Sequence, residues 1–228
     1  MSIENREYKM KRDLVTKESM LLYAVTDRMW LGEESLPQQV ERAIQGGTTF
    51  VQLREKHLGK EEFIRLAEEV KAVTDRYGIP FVINDEVEVA IACNADGVHI
   101  GQHDMTLREV RRRLGDDKII GVSAQTVEQA VEAEQNGADY LGVGAVFSTD
   151  TKADASEVPF DTLRKICTTV TIPVVAIGGI KSTNVAKLEG TGVDGIAVVS
   201  ALFAAKDIKQ EATLLRSKSE DMVAICRE

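Results

Sequence analysis

The stretch YLGVGAVFSTDTK, Tyr140 to Lys152, joins an apolar run to a cluster of hydroxyl, carboxylate and ammonium groups. A strand that is buried on both faces has a nearly continuous apolar sequence, and Tyr140 to Gly144 fits that pattern. The polar cluster must then lie just beyond the carboxyl end of this strand. In parallel α/β folds ligands bind at that edge, so the stretch predicts a buried parallel strand with a binding site beside it.

Short β-branched apolar runs of the same kind recur along the chain, with segments of helical period between them. Residues 60–78 are one such segment, in which Phe63, Leu66, Val70 and Val73 fall on one helical face. Eight alternations of strand and helix in about 200 residues favour a (β/α)8 TIM barrel over an open doubly wound sheet of five or six strands. The predicted strands are Leu21 to Val25, Thr49 to Leu53, Phe81 to Asn84, Gly97 to Ile100, Ile119 to Ser123, Tyr140 to Gly144, Val174 to Ile177 and Gly195 to Val199.

The chain contains no Gly/Ser-rich joint, so we predict a single domain over residues 1–228. Residues 1–19 form an N-terminal extension, either a helix that closes the bottom of the barrel or a loose tail. The segment Glu86 to Ala92 is short for a helix and is the least defined unit. Thr126 is a candidate N-cap and Gly137 a candidate C′ residue of the helix between them.

Composition limits the possible partners. The chain has 228 residues, 28 basic against 37 acidic, and a formal charge of −9, which argues against a general nucleic-acid surface. No window reaches the roughly 18 consecutive apolar residues that a membrane span needs, and the amino terminus is charged where a signal peptide would be apolar. Three scattered cysteines without CxxC spacing favour neither disulfides nor zinc. We therefore expect a cytoplasmic protein without nucleic-acid or membrane partners, and homo-oligomerisation stays open.

Three cations follow two of the predicted strands. Arg54 and Lys56 come after the second strand, and Lys152 comes after the sixth. Cations with a shared focus suit a diphosphate, since arginine is a planar fork and lysine a point charge. Taken alone, each of them is better interpreted as a solvated rim charge.

Asp85 and Asp104 lie at the ends of the third and fourth strands, which are neighbours in a barrel. Two carboxylates beside an anion site are what a bridging Mg²⁺ requires, because this ion prefers carboxylate, phosphate and water oxygens. Without a metal they would mostly repel the anion. The alternative for either residue is an ordinary helix N-cap.

A second anion site is indicated by AIGGI, Ala176 to Ile180, together with VVSA, Val198 to Ala201. Phosphate sites in these barrels are often built from the loops after strands seven and eight. Thr149 and Thr151 lie between the two anion sites and could donate to either, or could form local turn bonds.

The histidines are not assigned to catalysis. We expect His99 to be a packed strand residue, and His57 and His103 to be rim residues. Ser123 has no plausible activating base nearby in the sequence, which favours hydrogen bonding to a substrate over a nucleophilic role.

Eight motifs follow one another from Tyr23 to Ala201 and cover most of the chain: YAVTDR, VQLREK, IND, ADGVHIGQHD, IGVSAQT, GADYLGVGAVFSTDTK, VVAIGGI and GIAVVSA. Together, and in this order, they resemble the thiamine-phosphate synthase family. In that family the fold is a (β/α)8 barrel, and a hydroxymethyl-aminopyrimidine diphosphate is joined to a hydroxyethylthiazole phosphate with release of pyrophosphate.

The resemblance implies a role for each matching site residue. The pyrimidine diphosphate would be held by Gln52, Arg54, Lys56, Asn84 and Lys152, with one Mg²⁺ on Asp85 and Asp104. Ser123 would contact the pyrimidine. The thiazole phosphate would be held by Thr149, Thr151, Gly179, Val199 and Ser200. The candidate catalytic residues are then Arg54, Lys56, Ser123 and Lys152.

The mechanism that the resemblance implies is dissociative. Metal and cations stabilise the departing diphosphate, the aminopyrimidine supports a methylene cation, and the thiazole nitrogen adds to it. Positioning and electrostatic stabilisation then supply the catalysis without a protein nucleophile.

Four positions depart from the family pattern. Glu86 stands in place of an arginine, Gln125 in place of a frequent histidine, and Ala145 and Ser148 in place of prolines. The last two would loosen the loop that carries Thr149 to Lys152. Glu86 places a carboxylate beside the diphosphate site, so we expect diphosphate binding that is retained but weakened.

Two other functions are compatible with parts of this pattern. A related thiazole tautomerase shares the barrel but needs a general base, characteristically a histidine where this chain has Gln125. A non-catalytic sensor of thiamine precursors on a decayed barrel is the third hypothesis, with Glu86 as its support. The full set of cations and carboxylates favours the synthase over both.

Overall fold

A computed structural model of the chain describes residues 10–148 and 157–225. Within these ranges eight parallel strands form a closed barrel in which each strand pairs with the next and β8 pairs with β1. The strands are β1 (Leu22–Val25), β2 (Phe50–Leu53), β3 (Phe81–Asn84), β4 (Gly97–Ile100), β5 (Ile119–Ala124), β6 (Tyr140–Gly144), β7 (Val174–Ile177) and β8 (Gly195–Val198). The α-helices are α1 (Leu36–Gln45), α2 (Lys60–Tyr77), α3 (Val87–Ala92), α4 (Leu107–Leu114), α5 (Val127–Gln135), α6 (Phe160–Thr169), α7 (Ser200–Phe203) and α8 (Ile208–Ile225). Short 3-10 helices lie at Lys11–Leu14, Arg28–Trp30 and Val185–Leu188.

The predicted (β/α)8 barrel is confirmed, and each strand lies within one residue of its predicted bounds. Thr126 is the N-cap of α5, with its hydroxyl accepting the Gln129 N–H, and Gly137 follows the C-cap Asn136 with a left-handed φ of 91°. The segment after Glu86 does form a helix, α3, whose Val87, Val89 and Ala90 are buried. Its apolar face is short but sufficient to pack on the barrel.

Side chains on the strands alternate between two apolar cores. Outward residues such as Leu22, Val51 and Ile83 pack against the helices. Inward residues such as Tyr23 and Phe50 form a separate cluster inside the barrel. Because each strand packs against a core on both faces, nearly all of its residues are apolar. The strands therefore show in the sequence as unbroken apolar runs without polar alternation.

Three aspartates stand at the bottom of the barrel, one residue before β4, β6 and β8. Each is buried, and each accepts a backbone N–H from the preceding strand or its start, which ties neighbouring strands together. The bonds are Phe81 N to Asp96 Oδ2 at 2.9 Å, Ile120 N to Asp139 Oδ2 at 2.8 Å and Val174 N to Asp194 Oδ2 at 3.0 Å.

Residues 10–19, the described part of the predicted extension, close this end of the barrel. Three cations of the segment reach the three aspartates, and Leu14 and Val15 pack against the interior cluster. This segment contains the 3-10 helix Lys11–Leu14 and the start of a turn at residues 17–20, and residues 10–19 contain no α-helix. The ion pairs are Lys11–Asp96, Arg12–Asp139 and Lys17–Asp194, each at 2.8 Å.

Two further observations concern the wider chain. Among residues 10–148 and 157–225, no helix has both the length and the apolar character that crossing a membrane demands. Cys93 and Cys167 are not joined in a disulfide, and burial raises the pKa of the Cys93 thiol. Cys226 lies outside the described residues.

Candidate active site

The carboxyl ends of the strands surround one mouth of the barrel. Gln52, Asn84 and Ser123 are inward-facing residues near the ends of β2, β3 and β5, in register with the interior residues below them. Their side chains therefore line the upper part of the barrel interior, at the end where ligands bind in barrels of this kind.

Arg54 and Lys56 follow β2 at this mouth. The Arg54 side chain is largely buried, and its guanidinium lies 3.7 Å from the Asp27 carboxylate. Its backbone N–H donates to the Thr26 hydroxyl at 3.0 Å, which fixes the chain as it leaves the strand. Lys56 is exposed to solvent. Arg54 is thus a held cation and Lys56 an adaptable one.

Glu55, between these two cations, was not singled out by the sequence analysis. Only 6% of its side chain is exposed, and a carboxylate oxygen lies 3.3 Å from Arg28 Nε in the segment after β1. Burial raises the pKa of the Glu55 carboxyl, an effect that Arg28 partly offsets. The residue links the β1 and β2 loops. The only available signal was a carboxylate lodged between two cations in QLREK.

Asp85 and Asp104 lie beyond β3 and β4, which are hydrogen-bonded neighbours. Asp85 has a left-handed backbone with φ of 62°, an uncommon conformation for a non-glycine residue and one that clusters at functional sites. Its Oδ2 accepts from the Asn84 amide at 2.5 Å. Asp104 Oδ2 accepts from Gly101 N at 2.7 Å, which closes the loop after β4. Both carboxylates are therefore oriented by neighbouring N–H donors.

No group of three or more histidine, cysteine, aspartate or glutamate side chains suited to a metal occurs in the described part of the chain. The two carboxylates nonetheless fit a Mg²⁺ ion that takes its other ligands from substrate and water, because this ion commonly uses only one or two protein carboxylates. The N–H donors to Asp85 and Asp104 are the outer contacts that orient such ligands.

Ser123 has an imidazole beside it that its sequence neighbours do not supply. His99 Nε2 lies 3.0 Å from Ser123 Oγ, although the two residues are 24 positions apart. This contact arises because β4 and β5 are adjacent in the barrel, and adjacency between strands cannot be seen locally in the sequence. The hydrogen-bonding role expected of Ser123 toward a substrate stays a prediction. His99 is a buried strand residue, as predicted.

Further polar contacts continue from His99 into the barrel. His99 Nδ1 lies 3.0 Å from the Tyr140 hydroxyl, which lies 2.7 Å from the Tyr23 hydroxyl. Gln52 Nε2 donates to Tyr23 at 2.6 Å. Five side chains from five strands thus form one connected series of hydrogen bonds. Three of these residues, Tyr23, Tyr140 and His99, were not predicted to belong to the site.

The described residues of the predicted second anion site, Gly179, Val199 and Ser200, lie at the ends of β7 and β8. Gly178 and Gly179 have left-handed φ values of 100° and 64°. A Cβ on Gly179 would collide with the carbonyl oxygens of Phe147 and Ser148, so glycine is required where these loops meet. Val199 is the N-cap of the short α7, which starts at Ser200. The structure thus brings the end of β7 against the loop after β6.

The four departures from the family pattern have different surroundings. Glu86 is exposed and is the N-cap residue of α3. The Gln125 amide donates to the Gly144 carbonyl at 3.2 Å, which links the ends of β5 and β6. Ala145 is buried, and its carbonyl accepts the Val158 N–H at 2.7 Å. Ser148 is exposed.

Thr149, Thr151 and Lys152 lie outside the described residues. The convergence of Lys152 with Arg54 and Lys56, and the position of the two threonines between the anion sites, therefore stay predictions.

The described part of this barrel's mouth carries the held cation Arg54, the exposed Lys56, the carboxylates of Asp85 and Asp104, and a glycine pair at the end of β7. This is the composition expected of a (β/α)8 barrel that binds phosphorylated ligands. Comparison with known proteins then specifies the family. A family model described as thiamine monophosphate synthase matches residues 22–202, and the chain belongs to that family.

Individual relatives agree. The chain is 51% identical over 189 residues to a thiamine-phosphate synthase of Clostridium tetani, covering 83% of this chain and 90% of the relative. It is 51% identical over 200 residues to one of Ruminiclostridium cellulolyticum, covering 88% and 95%. A solved thiamine phosphate pyrophosphorylase from Pyrococcus furiosus superposes with a TM-score of 0.84 at 39% identity, covering 91% of this chain and 98% of that one.

Proposed function

We propose that this protein is a thiamine-phosphate synthase, a transferase that joins 4-amino-5-hydroxymethyl-2-methylpyrimidine diphosphate to 4-methyl-5-(2-hydroxyethyl)thiazole phosphate with release of pyrophosphate. Membership of the thiamine monophosphate synthase family supports this activity. The observation that supports it most directly is the mouth itself, where Arg54 lies beyond β2 while Asp85 and Asp104 lie beyond β3 and β4. Three successive strands bring a cation and two carboxylates to the same edge.

The pyrimidine diphosphate is assigned to the side of the mouth formed by β2 to β5. Arg54 suits the leaving diphosphate, because a guanidinium is a planar fork for phosphate oxygens. Its ion pair with Asp27 limits its side-chain freedom before the ligand arrives. The remaining residues of this set are Gln52, Lys56, Asn84, Ser123 and Lys152.

Mg²⁺ is assigned to Asp85 and Asp104. When bound, the ion would neutralise developing negative charge on the departing diphosphate oxygens. The contribution of this chain is to orient the two carboxylates, through Asn84 for Asp85 and through the Gly101 N–H for Asp104. A strained backbone at Asp85 is consistent with a residue that is held for binding.

The thiazole phosphate is assigned to Gly179, Val199 and Ser200, with Thr149 and Thr151. Backbone N–H groups beside glycine and at the start of a helix are suited to phosphate, since they lack partners within the helix. The left-handed conformation of Gly179 brings the backbone close to the loop after β6.

The chemistry follows from this arrangement of groups. The cations Arg54, Lys56 and Lys152 stabilise negative charge as the diphosphate leaves, and Ser123 orients the pyrimidine. The two anion sites hold the thiazole nitrogen toward the exposed methylene carbon, so that much of the entropic cost of association is met on binding. No protein side chain has to form a covalent bond.

The tautomerase alternative is not favoured. That reaction requires a group that can take up a proton, and the amide of Gln125 cannot do so. In this structure the Gln125 side chain instead donates to the Gly144 carbonyl.

The test is a reconstitution. The purified chain is incubated with both substrates and Mg²⁺, and thiamine phosphate and pyrophosphate are separated by chromatography. Product that disappears with EDTA and falls steeply in Lys152→Ala is expected. Lys187→Ala, an exposed lysine on the 3-10 helix after β7, is the matched control and should keep full activity. Absence of product with the unmodified chain would overturn the proposal.

A further inference from the structure

The buried chain of polar groups from Gln52 to Ser123 carries an inference that concerns proton positions. Tyr23 and Tyr140 are fully buried, with 1% and 0% exposure, inside an apolar cluster. Buried hydroxyl groups need hydrogen-bond partners, so each hydroxyl hydrogen in this series of side chains must point to a definite acceptor. Burial also raises the pKa of both phenols, which keeps both of them protonated donors.

The direction of the hydrogens follows from Gln52. Its Nε2 donates to the Tyr23 hydroxyl, so the single hydrogen of Tyr23 is left for Tyr140, the other hydroxyl in contact with it among the described residues. The hydrogen of Tyr140 is then available for His99 Nδ1. A neutral imidazole that accepts at Nδ1 carries its hydrogen on Nε2.

Ser123 is the end of this sequence of donors. With its hydrogen on Nε2, His99 donates to Ser123 Oγ at 3.0 Å. The hydroxyl hydrogen of Ser123 is therefore directed away from His99. In this arrangement His99 cannot take a proton from Ser123, which excludes activation of the serine as a nucleophile.

We propose that Gln52, Tyr23, Tyr140, His99 and Ser123 form an ordered relay of hydrogen bonds that holds His99 in the Nε2–H form and makes Ser123 an obligatory hydrogen-bond donor to the substrate. Tyr23, Tyr140 and His99 are positioning residues, because they act through Ser123 and Gln52. Only the identity of the substrate in this proposal rests on the proposed function. A hydroxyl donor at Ser123 suits a ring nitrogen with a free lone pair, and an aminopyrimidine has such a nitrogen.

A relay in which every hydrogen bond runs the other way, from Ser123 to Gln52, would also give each hydrogen an acceptor. Comparing the two relays shows that the orientation of the Gln52 amide sets the direction. The reversed relay needs the Gln52 amide turned so that its oxygen accepts from Tyr23. Every hydrogen then reverses, Nδ1 of His99 carries the hydrogen, and Ser123 donates to His99 instead of to a ligand. The amide of Gln52 and the hydroxyl of Ser123 are thus coupled across the barrel.

Two glycines in the strands make room for the relay. A Cβ on Gly121 would overlap the ring of Tyr140. A Cβ on Gly142 would lie 3.1 Å from His99 Cε1, closer than ordinary contact. Glycine inside a strand weakens the strand, so its presence at these two positions needs a reason. The space that the rings of Tyr140 and His99 require is such a reason.

The tautomer can be measured directly without substrate. The chain contains three histidines, so ¹⁵N-histidine labelling gives three imidazoles, and His57→Gln and His103→Gln assign the exposed two. In His99 we expect a pyrrole-type Nε2 and a pyridine-type Nδ1. A hydrogen on Nδ1, an even mixture or a doubly protonated ring would overturn the relay.

Two phenylalanine variants test the direction. Tyr140→Phe removes the donor to Nδ1, and we expect His99 to lose its single tautomer. Tyr23→Phe leaves the Tyr140 hydrogen in place, and we expect the Nε2–H form to persist. If Tyr140→Phe keeps the Nε2–H form, Tyr140 does not set the tautomer and the proposal fails.

Kinetics distinguish positioning from a packing role. In Tyr140→Phe we expect kcat/KM for the pyrimidine diphosphate to fall roughly tenfold, with the KM for the thiazole phosphate unchanged. Tyr77→Phe, which removes an exposed hydroxyl bonded to Glu41, is the matched control. Equal kinetics in the two variants would overturn the positioning role. If the unmodified chain forms no product, the proposed function fails while the NMR result still decides the relay.

Discussion

Arg12 and Asp139 lie 127 residues apart in the chain and form an ion pair at the bottom of the barrel, with Arg12 Nη2 and Nε at 2.8 Å and 2.9 Å from the same carboxylate oxygen. The other oxygen of Asp139 accepts from Arg111 Nη2 at 2.9 Å and from the Ile120 N–H. One buried carboxylate therefore joins the N-terminal segment, α4 and β5. This end of the barrel is structural, whereas the opposite end is assigned to substrates.

Asp139→Ala should destabilise the protein without impairing catalysis. The substitution leaves two guanidinium groups and a buried N–H without their acceptor, for which we expect a loss of about 3 kcal/mol in the free energy of unfolding. Urea denaturation measures the loss. The control is Asp161→Ala, which removes an exposed carboxylate paired with Arg164 and should cost less than about 0.5 kcal/mol. Similar losses in the two variants would contradict the assignment.

The buried phenols predict loss of stability in alkali. Burial raises the pKa of the Tyr23 and Tyr140 hydroxyls above the ordinary value of 10.0, which the unfolded chain retains. Their contribution is complete below pH 10.0 and is lost as the pH rises, because only the unfolded chain then releases these protons. Each phenol should steepen the decline in unfolding free energy by about 1.4 kcal/mol per pH unit.

In Tyr23→Phe the free energy of unfolding should fall less steeply with rising pH, by the contribution of one ionising phenol. Urea denaturation at a series of pH values measures this slope. The slope of Tyr77→Phe should match that of the unmodified chain. An unchanged slope in Tyr23→Phe would show that its ionisation is not linked to unfolding.

Gly121→Ala should be destabilising because the added methyl group would overlap the ring of Tyr140, which is fully buried. We expect a loss of about 1–3 kcal/mol, typical of an overfilled core. Gly59→Ala is the matched control: a Cβ at Gly59 meets nothing within 4 Å, and its φ of −64° suits alanine. Thermal unfolding compares the two, and an unaffected Gly121→Ala protein would mean that the barrel interior can rearrange around Tyr140.

Glu86→Arg should lower the KM for the pyrimidine diphosphate several-fold. Exchanging an exposed negative charge beside the proposed diphosphate site for a positive one changes the interaction by about 1 kcal/mol in high dielectric. Glu69→Arg makes the same charge change at an exposed position of α2 and should leave the KM unaltered. An unchanged KM in Glu86→Arg would show that this carboxylate does not weaken diphosphate binding.

Asp104→Asn should raise the Mg²⁺ concentration for half-maximal activity at least about tenfold, because the metal loses one charged ligand. The asparagine oxygen can still accept the Gly101 N–H, so the loop after β4 should keep its shape. Asp116→Asn, at an exposed position before β5, controls for the loss of one negative charge. Equal Mg²⁺ requirements in the two variants would remove Asp104 from the metal site.

Local sequence was sufficient to predict the barrel and to choose candidate residues for its mouth. The strands are short apolar runs, and whether a run is buried on both faces depends on its own composition, so all eight were predicted to within a residue. Chain order in a parallel barrel then places every strand end at the same mouth, which is how Arg54, Asp85 and Asp104 could be chosen as candidates without coordinates.

Contacts between distant segments could be decided only by the tertiary structure. His99 and Ser123 lie on adjacent strands, and their 3.0 Å contact depends on barrel register and on the space left by Gly121 and Gly142. The role of residues 10–19 was likewise open, because Lys11 gains its partner only when Asp96 is held at the start of β4. The sequence determines which side chains can donate or accept a hydrogen bond. Which donor meets which acceptor depends on the atoms that the closed barrel brings within about 3 Å of each other, the length of a hydrogen bond.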